Sequence, residues 1–137
     1  MNIDVPELAP AIAFYGAALG LTLNRILDDD VAELVGASSV IYLLENPTGS
    51  CPVSKRPLQR QYARHWTPVH LDFVVGDLAK ATQQVLAAGA IRESECIEWK
   101  GSKCITFSDP FGNGFCLIEF EGESYDAVAF DSRIATK

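Results

Sequence analysis

Apolar residues recur at Leu8, Ala11, Ile12, Tyr15, Ala18 and Leu19, the three-and-four spacing that paints one stripe on an α-helix. The spacing predicts a helix over residues 7–19, with Pro6 and Glu7 suited to its start and Gly20 just past its end. Strands are predicted at 21–27, 31–35 and 40–45, divided by the acidic run Asp28, Asp29, Asp30 and by the small residues at 36–39. Further on, 70–75 alternates as a strand and 77–88 is helical, with Gly89 ending it. Strands follow at 93–99, 103–108 and 115–121, joined by turns at Lys100, Gly101, Ser102 and at 110–114.

The second set of elements repeats the first. Val5, Pro6, Glu7, Leu8, Ala9 is echoed 70 positions later by Val75, Gly76, Asp77, Leu78, Ala79, and Ala11, Ala17 and Ala18 return as Ala81, Ala87 and Ala88. Each half reads β-α-β-β-β, and neither is large enough to bury its sheet alone. We therefore expect one domain over 1–137: a first module at 1–46, a connecting loop at 47–68, a second module at 69–121 and an extension at 122–137, for which a short helix is a weak expectation. The same offset applied to His70 lands at position zero, just before Met1, so a symmetric pair of histidines is not available within the chain as given. The short first strand raises the expectation that the native start lies upstream.

Composition narrows the class. With 48% hydrophobic and 21% charged residues in 137, the chain can bury an ordinary core and has no disordered signature. The longest apolar run falls short of the roughly 20 residues of a membrane helix, and no signal-peptide pattern opens the chain. A net charge of −7 disfavours nucleic acid and acidic membrane surfaces and suits a cationic ligand. The expected setting is cytoplasmic, where Cys51, Cys96, Cys104 and Cys116 are reduced thiols. A hairpin pivoting at Lys100 would bring Cys96 close to Cys104, so a redox pair is a lesser alternative. The 46–68 connection holds four prolines and a basic cluster, Lys55, Arg56 and Arg60.

Four stretches now carry a resemblance. Residues 13–21 (Ala-Phe-Tyr-Gly-Ala-Ala-Leu-Gly-Leu), 70–75 running into Asp77 and Leu78, 85–90 (Val-Leu-Ala-Ala-Gly-Ala) and 109–113 (Asp-Pro-Phe-Gly-Asn) are similar, in order, to the vicinal oxygen chelate superfamily. This superfamily includes glyoxalase I, extradiol dioxygenases and bleomycin-resistance proteins. The resemblance implies an α+β fold in which two βαβββ repeats form a curved, partly open mixed β-barrel around a concave site. It also implies a homodimer that binds a small molecule. Metal enzymes of the superfamily carry ligands on the first and fourth strands of each module. Of these positions the first falls before Met1, the second is Tyr42, His70 matches the third, and Cys116 stands where a glutamate is expected.

Alternation puts Cys116, Ile118 and Phe120 on one face and turns Glu119 to the other, so Glu119 is a poor substitute. Asp72 shares a face with His70, roughly 7 Å along the strand. His70 and Cys116, with Asp72 and Tyr42 as extras, fall short of the three firm ligands of catalytic zinc, and a thiolate suits magnesium or manganese badly. The favoured reading is therefore a metal-free binder of a small organic molecule, lined by Asp4, Tyr42, His70, Asp72, Cys116 and Trp66, with no cofactor. Trp66 is read either as a lid over this cup or as cover for a core edge. The alternative is a metal-dependent lyase, isomerase or dioxygenase with His70 and Cys116 on a divalent ion (Zn, Fe, Ni or Mn). Between them stands a metal-free enzyme using His70 and Asp72 for proton transfer. Whether any reaction is catalysed stays open at this point.

Overall fold

The computed structural model describes residues 1–54, 56–122 and 124–125. Lys55 and the proposed helix within 122–137 lie outside the described residues, apart from 122, 124 and 125. The first half runs β1 (Asn2–Val5), α1 (Leu8–Leu19), β2 (Thr22–Leu27), β3 (Val31–Val35) and β4 (Ile41–Glu45). The second runs β5 (Leu71–Val74), α2 (Leu78–Ala88), β6 (Ile91–Arg92), β7 (Ile97–Trp99), β8 (Ser102–Ser108) and β9 (Gly114–Glu119). The chain is thus α+β, with two mixed sheets and an open barrel. In the first sheet the order is β1-β4-β3-β2, and in the second β5-β9-β8-β6 with β7 also on β8. The first strand of each module lies parallel to its last, β1 on β4 and β5 on β9.

Local chemistry explains the helices. Leu8, Ala11, Phe14, Tyr15 and Ala18 form the buried stripe of α1, and Gly20 closes it at φ 68 with its N–H on the Gly16 carbonyl. Glu7 sits before the helix and makes no side-chain cap, so Glu45 supplies the acceptor instead, taking the Leu8 N–H at 2.8 Å. In α2 the Asp77 carboxylate accepts from the Lys80 N–H at 3.0 Å, an ordinary N-cap.

The two modules pack helix against helix. Gln84 Nε2 donates to the Ala17 carbonyl at 3.0 Å, and Phe14 meets Phe111 edge-on at 6.3 Å between centroids. A continuous core of buried residues runs from Val5, Leu34 and Leu43 of the first sheet through Phe14 and Tyr15 to Val85, Phe107 and Leu117 of the second.

Two expectations are corrected. Of the strand predicted at 93–99 only β7 (Ile97–Trp99) forms, with β6 lying ahead of it at Ile91–Arg92, because the Ser94 hydroxyl takes the Thr106 N–H at 2.9 Å and so occupies a ladder position. The hairpin that follows pivots between Lys100 and Gly101, both at positive φ (49 and 85), and not on Lys100 itself. Its register pairs Cys104 with Ile97, which leaves Cys96 one residue out of step.

Candidate functional site

On β5 the pleat turns Leu71, Phe73 and Val75 toward the core and leaves His70, Asp72 and Val74 on the open face. The parallel register then sets Asp72 beside Cys116 of β9, and the antiparallel register sets Cys116 beside Thr106 of β8. His70 Nε2 stands 3.4 Å from Asp72 Oδ1. One donor atom each from His70, Asp72 and Cys116 lie within 4.8 Å of one another. The Thr106 hydroxyl lies 3.3 Å from the Cys116 sulfur, and Tyr125 donates its hydroxyl to Asp72 Oδ2 at 3.4 Å. Burial, and then the neighbouring Cys116, push the Cys104 thiol up to about 12, so it is protonated at neutral pH.

His70 also reaches outward. Its ring lies 5.3 Å from that of Trp66, which is 61% exposed, and the Arg64 guanidinium covers Trp66 at 5.4 Å. Arg64 in turn grips Glu93 through two hydrogen bonds of 2.7 Å, a fork that fixes the segment carrying Trp66. The segment is seated on two glycines: a Cβ at Gly112 would meet the Tyr62 carbonyl oxygen at 2.5 Å, and one at Gly114 would meet Arg64 Nη2 at 2.7 Å. Beneath it a cavity of about 440 Å³ opens between β1 and β5, lined by Asn2, Asp4, Tyr15, His70, Phe73 and Phe115 among others.

The six residues expected to line the cup do not all meet. His70, Asp72, Cys116 and Trp66 converge. Asp4 borders the same cavity as His70, but its carboxylate is taken by Arg60 Nε at 2.8 Å and Asn46 Nδ2 at 3.2 Å. Tyr42 joins a separate cluster around Glu33 on the first sheet. Glu33 is 5% exposed and accepts from Asn24 Nδ2 at 2.7 Å, Arg25 Nε at 2.9 Å and Arg25 Nη2 at 3.2 Å. These donors, with the Tyr42 hydroxyl, hold Glu33 below the usual carboxylate range, and the Tyr42 phenol is raised by the same bond. Sequence reasoning missed Glu33. Its signal was the polar residue amid apolar neighbours in Val31–Val35, legible only once a register shift between Leu23 and Arg25 brings β2 into line.

The donor set fits one kind of metal and not another. An imidazole, a carboxylate and a thiol match the three protein ligands of a zinc site with an open position, whereas a hard octahedral ion wants oxygens throughout. Asp72, an extra to His70 and Cys116 in the sequence reading, offers a carboxylate oxygen within 4.8 Å of donor atoms of both.

Residues 1–118 match the model of the glyoxalase-like domain. The chain belongs to that family, within the vicinal oxygen chelate superfamily. Among solved structures, a hypothetical protein from S. aureus shares 20% identity and a TM-score of 0.65 over 87% of this chain and 93% of its own. The fosfomycin resistance protein FosX from Listeria monocytogenes follows at 17% identity and 0.66, over 89% and 91%. A lactoylglutathione lyase from Agrobacterium tumefaciens gives 18% and 0.59, over 87% and 90%. At these identities the likeness is one of fold. Comparison with curated proteins returns no match. No helix among the described residues is long and apolar enough to cross a membrane.

Proposed function

We propose that this glyoxalase-like domain binds a small organic molecule in its cleft, with His70 as the polar anchor. The carrying observation is the position of His70, which borders the cavity of about 440 Å³, touches Trp66 and stands 3.4 Å from Asp72. A cavity of this size suits a drug-sized ligand. The exposed Trp66 face offers stacking, and Asp72 with the net charge of −7 favours a cationic aromatic compound. No ion is required by this reading.

A second reading is a metal-dependent enzyme of glyoxalase type, favoured by the three donor atoms within 4.8 Å. There His70, Asp72 and Cys116 would hold the ion. When bound, the ion would polarise oxygen atoms of a substrate.

A thermal-shift and calorimetric panel of cationic, neutral and anionic aromatic compounds, run on chelated and on zinc-loaded protein, separates the two. Binding by chelated protein that weakens at least tenfold in His70→Ala supports the first reading. Binding or turnover seen only with zinc replaces it with the second. A panel in which nothing binds in either state removes both.

A further inference from the structure

Cys116 and Ile118 are buried, yet on β9 it is Phe115 and Leu117 that pack into the core beneath the helices. Register extends the opposite, open face across the sheet. Val74 of β5 and Cys104 of β8 stand beside Ile118, and Ile97 and Trp99 of β7 stand opposite Cys104 and Ser102. Val74, Ile97 and Trp99 are exposed, so this apolar face is open at both edges. Its middle carries a ring from beyond the sheet. The Tyr125 ring meets Phe120 edge-on at 4.5 Å between centroids and Trp99 at 6.3 Å, and its hydroxyl donates to Asp72 Oδ2 at 3.4 Å. Cys116, the neighbour of Asp72, is four residues from Phe120, roughly 13 Å of strand. A side chain seated on Phe120 whose hydroxyl reaches Asp72 therefore lies lengthwise across the place of Ile118.

We propose that Tyr125 stands in for a ligand: the shelf of Phe120, Trp99 and Asp72 takes an aromatic ring bearing a cationic or hydroxyl donor, and a compound of that class displaces the Tyr125 side chain to bind. This deepens the small-molecule reading above by naming its ligand class, and it rests on that reading. The stand-in shows the chemistry the shelf accepts, a ring on aromatic edges with a donor on a carboxylate. An ammonium is the stronger occupant, because its hydrogen bond to Asp72 is ionic on both sides and its charge also suits the aromatic faces.

The seat is loose enough to vacate. Tyr125 is 47% exposed and its hydrogen bond is long, whereas Tyr15 is buried and bound to a buried Asp109. Asp72 is itself part-exposed, and its Oδ1 stands 3.4 Å from His70 Nε2, so a donor arriving at Oδ2 leaves that contact in place and comes to rest beside His70. A site that its own side chain fills about four-fifths of the time binds about fivefold more weakly than the vacated site. Removing the ring therefore tightens binding, whereas removing an ordinary wall of a ligand site weakens it.

The test is calorimetric titration of chelated, full-length protein with benzylamine, benzyl alcohol and benzoate. Tyr125→Ala should bind benzylamine at least fivefold more tightly than the unaltered chain, Tyr125→Phe should fall between them, and benzoate should not gain. Adding Asp72→Asn to Tyr125→Ala should weaken benzylamine at least tenfold. Displacement is read directly by fluorine NMR on protein carrying 3-fluorotyrosine at its four tyrosines. Benzylamine should move the Tyr125 resonance, assigned by its loss in Tyr125→Phe, toward the position it takes in unfolded protein, and leave that of Tyr15 in place. Circular dichroism verifies that each variant folds. Equal or weaker benzylamine binding in Tyr125→Ala, a Tyr125 resonance unmoved at saturation, or indifference to Asp72→Asn overturns the proposal. Benzylamine binding that needs His70 but ignores Tyr125 sinks this proposal and leaves the small-molecule reading standing.

Discussion

Tyr15 donates its hydroxyl to Asp109 at 2.5 Å across 94 positions of sequence, fastening the first helix to the turn that leads into β9. The Asp109 carboxylate is 3% exposed and survives burial because four donors converge on it. The others are the Phe111 N–H and Asn113 N–H at 2.8 Å and Asn113 Nδ2 at 2.9 Å. The same bond joins the two modules and shapes the turn that precedes Cys116, so stability and site share one support.

Tyr15→Phe should therefore destabilise the fold by about 1.5–3 kcal/mol, the range for a hydrogen bond to a charged group. Urea unfolding should show a lower midpoint with an unchanged slope. Burial, then Asp109, hold the Tyr15 phenol well above its ordinary value. The folded chain keeps that proton while the unfolded chain loses it above about pH 10, so the stabilisation is full below pH 10 and declines as pH rises. Tyr15→Phe should flatten this alkaline decline; an identical decline in both proteins would count against the coupling.

Gly112 and Gly114 should respond differently to alanine. Gly112 has φ 85, and its added Cβ would strike backbone, the Tyr62 carbonyl oxygen, at 2.5 Å. Strain and collision together predict a loss of roughly 2–4 kcal/mol for Gly112→Ala. At Gly114 the nearest atom is the end of the Arg64 side chain, which can move. Gly114→Ala should cost under about 1 kcal/mol but disturb the emission of Trp66, which Arg64 covers. Thermal unfolding and tryptophan fluorescence on both variants decide it.

Thr82→Val should raise stability. The Thr82 hydroxyl is buried in α2 and has no hydrogen-bond partner among the described residues. Leaving such a group unpaired costs about 1–3 kcal/mol, while valine has the same shape and a similar helix preference. A gain of about 1 kcal/mol in the denaturation midpoint is expected, and a loss of that size would show that the hydroxyl has a partner in solution.

Periodicity located both helices and the duplication, because a buried stripe at 3.6-residue spacing depends on the segment alone: Leu8 and Ala11 need no knowledge of β4. Alternation also put Asp72 on the face of His70 and turned Glu119 away from that of Cys116, since the strand pleat is local. Register is not local. The pairing of β8 with β9 sets Cys104 on the face of Cys116, and the hairpin pivot displaced toward Gly101 puts Cys96 out of step with Cys104. Tyr42 and Asp4 looked available because a sequence shows the polar group and not its partners. Glu33 and Arg60, each distant from the residue it holds, had already claimed them.

Acid should release the segment bearing Trp66 at a pH that the Arg64–Glu93 pair sets. The hydrogen bonds from Arg64 hold Glu93 below the usual carboxylate range, although partial burial opposes them. A depressed folded value means that the pair stabilises the fold fully above the unfolded glutamate value of about 4.3, and that this is lost as pH falls through the lower folded value. The pair is about three-quarters buried, with side chains 24% and 25% exposed, and its worth is that of a surface ion pair improved by the fork, about 1 kcal/mol. In a Trp99→Phe background the remaining tryptophan is Trp66, because the chain has two. Its emission should hold steady from pH 7 to about 4.5 and then shift to longer wavelength below the ordinary glutamate value. Glu93→Gln should show the shifted emission already at neutral pH and no acid step. An acid step that Glu93→Gln leaves unchanged would count against control by this pair.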